Sequence, residues 1–77
     1  MRVQIRLFAG LKQYAPTGKK VFHMELAPAT TVSRVLEILQ FPPTLKPVIL
    51  VNGYHADEAT RLFDGDMVSL FQPVAGG

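Results

Sequence analysis

The chain has 77 residues, no cysteine, and a net charge of +2 from eight Lys and Arg against six Asp and Glu. This length fits one domain near the lower size limit for a single hydrophobic core, and it leaves little room for a large catalytic pocket. The lack of cysteine excludes disulfides, thiolate metal sites and a thiol nucleophile, and the weak, scattered positive charge argues against nucleic-acid binding.

Two alternating stretches predict a β-hairpin. In RVQIRLF (2–8) and VFHMEL (21–26), apolar side chains alternate with mostly polar ones, which is the two-residue period of a strand with one buried face. The predicted buried faces comprise Val3, Ile5 and Leu7 in the first strand and Phe22, Met24 and Leu26 in the second. The segment between them contains glycines and a proline, so it is predicted to be a connection with one helical turn around residues 11–14.

A single main helix is predicted next. Thr31 can cap its N-terminus by accepting a hydrogen bond from an early backbone N–H group. The apolar residues that follow have the i, i+3, i+4, i+7 spacing of one helical face; they are Val32, Val35, Leu36 and Leu39. Pro42 and Pro43 cannot continue the helix and are expected to end it.

Two tight turns divide the last third of the chain into strands. The apolar run VILV (48–51) is bounded by Pro47 and by the turn Asn52-Gly53, which predicts a central strand covered on both faces. A short strand fits after that turn, and MVSLFQ (67–72) follows the turn Asp64-Gly65-Asp66 as the last strand. Neither turn has the burial of a catalytic carboxylate pair, and the two histidines are far apart in sequence, so no metal site is expected.

This order of elements predicts an α+β fold, a two-layer mixed sheet with one main helix on one face. The first and last strands can lie side by side in the middle only if they are parallel, which is a β-grasp. Alternation in the last strand turns Met67 and Phe71 away from the core, where they predict a partner-binding apolar surface. The alternative is that Phe71 packs under a neighbouring loop.

Three segments resemble the small sulfur-carrier subunit of molybdopterin synthase, a ubiquitin-like family. They are RLFAGLKQYA after the first alternation, VNG after the third strand, and LFDGDMVSLFQPVAGG (62–77), the most specific. The sequence departs from the family at Gln72, where a proline is usual. The thiamine-pathway sulfur carrier and ubiquitin-like protein modifiers share this fold and a diglycine end, and they remain alternatives together with a plain interaction domain.

The chain is predicted to divide into a β-grasp domain, residues 1–72, and a flexible diglycine tail, residues 73–77. Pro73 has no N–H group and therefore ends the hydrogen-bond ladder of the last strand. Five extended residues reach about 17 Å, enough to enter another protein's active site, and the glycines allow that protein to close around the backbone. We expect the tail to insert through Pro73, Val74, Ala75 and Gly76, with Gly77 at its tip.

The resemblance further implies a carrier that acts as a co-substrate and is not itself an enzyme. An adenylating enzyme of the ubiquitin-activating type would use ATP to join Gly77 to AMP, and a sulfur donor protein would convert it to a thiocarboxylate. The large catalytic subunit of molybdopterin synthase would bind Met67, Phe71 and the tail, and Gly77 would give its sulfur to a pterin precursor. We expect no bound cofactor, no metal, a cytoplasmic location, and neither nucleic acid nor membrane as partners.

Overall fold

Five strands and one α-helix are formed within residues 1–73, the part of the chain that the computed structural model describes. The elements are β1 (Arg2–Leu7), a 3-10 helix (Ala9–Tyr14), β2 (Val21–Glu25), α1 (Val32–Ile38), β3 (Val48–Val51), β4 (Tyr54–Ala56) and β5 (Met67–Phe71). The predicted hairpin, the helical turn, the main helix and the short additional strand are therefore confirmed. Neither of the two helices in these residues has the length and hydrophobicity that a membrane-spanning helix requires.

The strands lie side by side in the order β2-β1-β5-β3-β4. β1 and β5 are parallel, with Ile5 beside Val68 and Leu7 beside Leu70. The other neighbouring strands are antiparallel. A parallel pair of the first and last strands inside a mixed sheet is the predicted ubiquitin-like β-grasp arrangement, and β5 lies at the centre of the sheet.

The core lies between the sheet and α1, on the face that the alternation in β1 predicts. Val3, Ile5 and Leu7 are each at most 1% exposed. The helix covers them with the same apolar face that its spacing predicts, since Val32, Val35, Leu36 and Leu39 are all buried. Each such side chain stabilises the fold by about 1.5–3 kcal/mol through removal of apolar surface from water.

The N-terminus of α1 is capped differently from the sequence prediction. Thr31 occupies the N-cap position, but its hydroxyl makes no capping hydrogen bond. The N–H groups of Val32 and Ser33 instead donate to the carbonyls of Thr60 and Glu58, at 3.0 Å and 2.9 Å. The loop before β5 therefore replaces the predicted side-chain cap, because its carbonyls already satisfy the early N–H groups of the helix.

One prediction about β3 is wrong. The run VILV does form a strand inside the sheet, between β5 and β4, and Ile49 is buried on the helix side. Val48, however, is 37% exposed, so the strand is not covered on both faces. The reason is that α1 covers one face of the sheet, and no second layer of described residues covers the other.

Candidate functional site

The face of the sheet turned away from α1 is the candidate site, and we call it the open face. Strand alternation and the cross-strand register assign side chains from all five strands to it. They are Arg2, Gln4 and Arg6 of β1, Val21, His23 and Glu25 of β2, Val48 and Leu50 of β3, His55 of β4, and Met67, Ser69 and Phe71 of β5. The centre of this surface is largely apolar, whereas β1 contributes two guanidinium groups.

An aromatic stack closes the end of the open face where β5 ends. The rings of Phe71 and Phe8 are stacked, with centroids 4.4 Å apart and planes inclined by 6°. The backbone N–H group of Phe8 donates to the carbonyl of Leu70 at 3.0 Å, which extends the parallel pairing of β1 and β5 by one residue. The ammonium group of Lys20 lies 5.8 Å from the Phe8 centroid, within the range of a cation–π interaction.

The two predicted partner-binding residues of β5 both lie on the open face. Met67 and Phe71 are half-buried, and Ser69 between them is buried. Phe71 is shielded on one side by Phe8, so the structure combines the two possibilities for this side chain: an apolar surface, partly covered by a neighbouring loop. Val48, opposite Phe71 in the register, continues the apolar surface. That Met67 and Phe71 bind a partner remains a prediction.

The chain leaves the sheet after Phe71, and the next residues, Gln72 and Pro73, are exposed. A Cβ atom placed on Gly10 would lie only 2.5 Å from Oε1 of Gln72, so the glycine provides the space in which the Gln72 amide lies. The predicted insertion residues Val74, Ala75 and Gly76 and the predicted reactive residue Gly77 lie outside the described residues. The boundary between domain and tail stays a prediction as well.

The start of β5 is fixed by the two turns that the sequence predicts. Asn52 has a φ of 53°, and its side-chain carbonyl accepts a hydrogen bond from the Met67 N–H group at 2.9 Å. Its amide donates to Asp66 at 2.9 Å. Gly65, with a φ of 86°, allows the chain to turn between Asp64 and Asp66. The first residue of β5 is therefore held by both turns.

The described residues contain no group of three His, Asp or Glu side chains able to hold a metal ion. His23 and His55 lie on β2 and β4, the two outer strands of the sheet.

Sequence reasoning missed the role of Phe8 at this site. Its partner Phe71 is 63 positions further along the chain, and the two rings meet only because β1 and β5 are parallel neighbours. A signal was present, however. The alternation that turns Arg2, Gln4 and Arg6 to the open face continues to Phe8.

Comparison with known proteins gives a family and several structural relatives. The model of the ThiS family matches residues 5–77. No curated protein sequence gives a significant match.

Three solved structures are informative. The Haloferax volcanii protein HVO 2177 has a TM-score of 0.82 and 30% identity, with 100% of this chain and 87% of that chain covered. A Pyrococcus furiosus protein assigned as molybdopterin converting factor subunit 1 has a TM-score of 0.78 and 25% identity, with 95% and 98% covered. A chain from the complex of subunits 1 and 2 of molybdopterin-converting factor of Helicobacter pylori has a TM-score of 0.63 and 30% identity, with 100% of both chains covered.

Proposed function

Because the chain belongs to the ThiS family, we propose that it is a sulfur carrier whose Gly77 carboxylate is adenylated, converted to a thiocarboxylate, and used to donate sulfur in molybdopterin biosynthesis. The observation that carries this proposal is the extent of the family match, which runs over residues 5–77 and so includes the diglycine. The fold supports it, since β5 directs the chain out of the sheet directly before Gln72 and Pro73.

The chemistry explains why such a carrier needs an activating partner. An ionised carboxylate is a poor acyl donor, because a nucleophile must add charge to a group that has no good leaving group. Attack of the Gly77 carboxylate on the α-phosphorus of ATP releases pyrophosphate and gives an acyl-adenylate, from which AMP can leave. ATP is thus used by the adenylating enzyme, and the carrier itself binds no cofactor.

Sulfur then enters from a persulfide on a donor protein. The terminal persulfide sulfur attacks the acyl carbon and displaces AMP, which leaves an acyl disulfide. A thiol of the donor or the enzyme cleaves that S–S bond, so a protein disulfide forms and the thiocarboxylate is released. The thiocarboxylate sulfur is a soft nucleophile of the thiolate kind. It attacks an electrophilic carbon of a pterin precursor, where a carbon–oxygen bond breaks and the oxygen leaves, and the product is a thioester between Gly77 and the pterin. Water then attacks the acyl carbon, the C–S bond to Gly77 breaks, and the pterin keeps the sulfur as a thiolate while the Gly77 carboxylate is regenerated.

The catalytic groups belong to the partners, so the carrier acts as a non-catalytic subunit. The H. pylori relative comes from a complex with subunit 2 of molybdopterin-converting factor. By analogy, the open face around Met67 and Phe71 binds the large catalytic subunit while the tail enters its active site. Cationic side chains of that partner neutralise the tail carboxylate.

The proposal is tested by the intact mass of the protein after incubation with ATP, the sulfur donor protein and the host's adenylating enzyme. We expect a mass gain equal to the replacement of one oxygen by sulfur, and a variant lacking Gly77 serves as the control without the reactive residue. No gain, or attachment of the chain to lysines of other proteins, would contradict the sulfur-carrier function and favour a modifier or an interaction domain.

A second step tests the pathway. The thiocarboxylated protein is mixed with the large subunit of molybdopterin synthase and its pterin precursor, and the loss of sulfur from Gly77 is followed by mass. Loss that depends on the precursor supports the molybdopterin pathway. A carrier that is loaded but keeps its sulfur would direct the search to another acceptor, such as that of the thiamine pathway.

A further inference from the structure

The end of the domain from which the tail leaves has an uneven charge. Residues 1–24 and 67–77 contain no Asp or Glu, although the first of these segments holds five of the eight Lys and Arg residues. Four of these five are placed around the end of β5; they are Arg6, Lys12, Lys19 and Lys20. We call them the tail-end cations.

Contacts of β1 with the chain on each of its two sides place these residues. The carbonyl of Lys20 accepts a hydrogen bond of 2.7 Å from the N–H group of Leu7, which is the register partner of Leu70. Lys20 therefore lies level with the penultimate residue of β5, and Lys19 precedes it. The 3-10 helix that contains Lys12 begins directly after Phe8, whose N–H group donates to Leu70.

The tail-end cations form no ion pair with any carboxylate in residues 1–73. The ion pairs of this region join Arg2 to Glu25, Arg34 to Glu37 and Lys46 to Glu58, and all of them involve other cations. Arg6 donates to the neutral amide of Gln4 at 3.2 Å, and Lys20 lies over Phe8. Within residues 1–73 these four positive charges are therefore not paired with a carboxylate, and one of them, Lys20, lies against the ring of Phe8 that stacks on Phe71.

We propose that the tail-end cations are an electrostatic steering surface for the adenylating enzyme, and that this enzyme presents carboxylates around the entrance that admits the tail. The inference rests on the proposed function, since it takes that enzyme as the partner. A carrier must leave the enzyme that loads it in order to deliver its sulfur elsewhere. Exposed charges suit this short-lived complex, because they increase the association rate more than the affinity.

In this proposal the adenylating enzyme carries opposite charges in two places. Cations are needed at the bottom of its tail-binding channel to neutralise the Gly77 carboxylate, whereas carboxylates at the rim attract the domain. Because five extended residues span about 17 Å, the two regions are separated by more than the Debye length of about 10 Å at 0.1 M salt. Rim and channel can therefore carry opposite charge without cancelling each other.

The test is a stopped-flow measurement of the association rate between the full chain and the host's adenylating enzyme at several salt concentrations. One variant carries Lys12→Glu and Lys19→Glu; Lys20 is kept because it lies over Phe8. The matched control carries Arg34→Glu and Arg61→Glu, which change the net charge equally at exposed positions outside the tail-end cations. Thermal unfolding of both variants verifies that they remain folded.

We expect the first variant to associate at least about tenfold more slowly than wild type at low salt and to lose most of its salt dependence, while the control stays within about threefold. Equal slowing of both variants, no slowing of either, or no association of wild type with the enzyme would overturn the proposal. Sulfur loading, measured by mass on the same samples, is a separate readout. If the Lys12→Glu, Lys19→Glu variant associated more slowly than the control but wild type gained no sulfur, the steering surface would be supported and the sulfur-carrier function contradicted.

Discussion

Asn52 and Asp66, 14 residues apart, are joined by a 2.9 Å hydrogen bond from the side-chain amide to the carboxylate. The other oxygen of Asp66 accepts from the N–H group of Phe63 at 2.8 Å, and Asn52 also accepts from the N–H group of Met67. The turn between β3 and β4 is therefore connected directly to the turn that precedes β5. This link therefore contributes to the position of β5 in the sheet.

Two substitutions of Asn52 separate the stabilisation that comes from its side-chain hydrogen bonds from the stabilisation that comes from its tolerance of a positive φ. Asn52→Gly keeps a residue suited to the positive φ but removes the side-chain hydrogen bonds, and we expect a loss of about 1 kcal/mol in the free energy of unfolding. Asn52→Ala adds the cost of a left-handed alanine, about 1 kcal/mol more. Urea unfolding measures both. If alanine proved as stable as glycine here, the positive φ of 53° would not be energetically important.

The adjacent residues Leu62 and Phe63 test which side chains belong to the core, because one is buried and the other is exposed. Leu62 is 0% exposed although it lies in the loop before β5, whereas Phe63 is 69% exposed. We expect Leu62→Ala to lower the free energy of unfolding by about 2–5 kcal/mol, because it leaves a cavity. Phe63→Ala, despite removing the larger side chain, should cost less than about 1 kcal/mol. A reversed order in urea unfolding would contradict this assignment of the core.

The contrast between Leu62 and Phe63 shows which buried residues the sequence alone cannot predict. In β1 and α1 the period of apolar residues alone identifies the buried face, since each element repeats its pattern several times. Leu62 and Phe63 lie in an irregular loop with no period, so which of them is buried depends on where the loop passes over the sheet. The sequence could not decide this.

The same limit applies to the site. Alternation places Met67 and Phe71 on the open face, because one strand suffices to define a face. The shielding of Phe71 by Phe8 requires in addition the parallel register of β1 and β5. The sequence did not predict the side-chain hydrogen bonds of Asn52 for a related reason. The turn alone is enough to explain an Asn-Gly pair, so the pair gives no indication of a further partner, and that partner, Asp66, lies in a different turn.

Phe71 is the residue at which stability and partner binding can be separated. A double-mutant cycle with Phe8→Ala and Phe71→Ala should give a coupling of about 0.5–1.5 kcal/mol in the free energy of unfolding, the value of a stacked pair. Binding to the large subunit of molybdopterin synthase, measured by calorimetry, should weaken at least about tenfold in Phe71→Ala. Phe63→Ala, an exposed aromatic outside the open face, is the matched control. Unchanged affinity in Phe71→Ala would remove this residue from the proposed interface.

The last prediction concerns the tip of the tail. Gly76→Leu keeps the Gly77 carboxylate but adds a side chain next to it, so it tests whether the partner closes tightly around the tail. We expect the rate of thiocarboxylate formation to fall by about a hundredfold, the loss typical of a reacting group that is misplaced by about 1 Å. The free energy of unfolding should not change, because the buried core of residues 1–73 extends along the chain only to Leu70.

Val74→Leu is the control for this experiment, since it also enlarges a tail side chain but lies further from the carboxylate. Initial rates are followed by intact mass, with pyrophosphate release as a second readout of adenylation. A Gly76→Leu variant that is loaded as fast as wild type would show that the tip has room for a side chain. The diglycine would then be needed for the carboxylate of Gly77 alone, and the idea of a close-fitting channel would have to be abandoned.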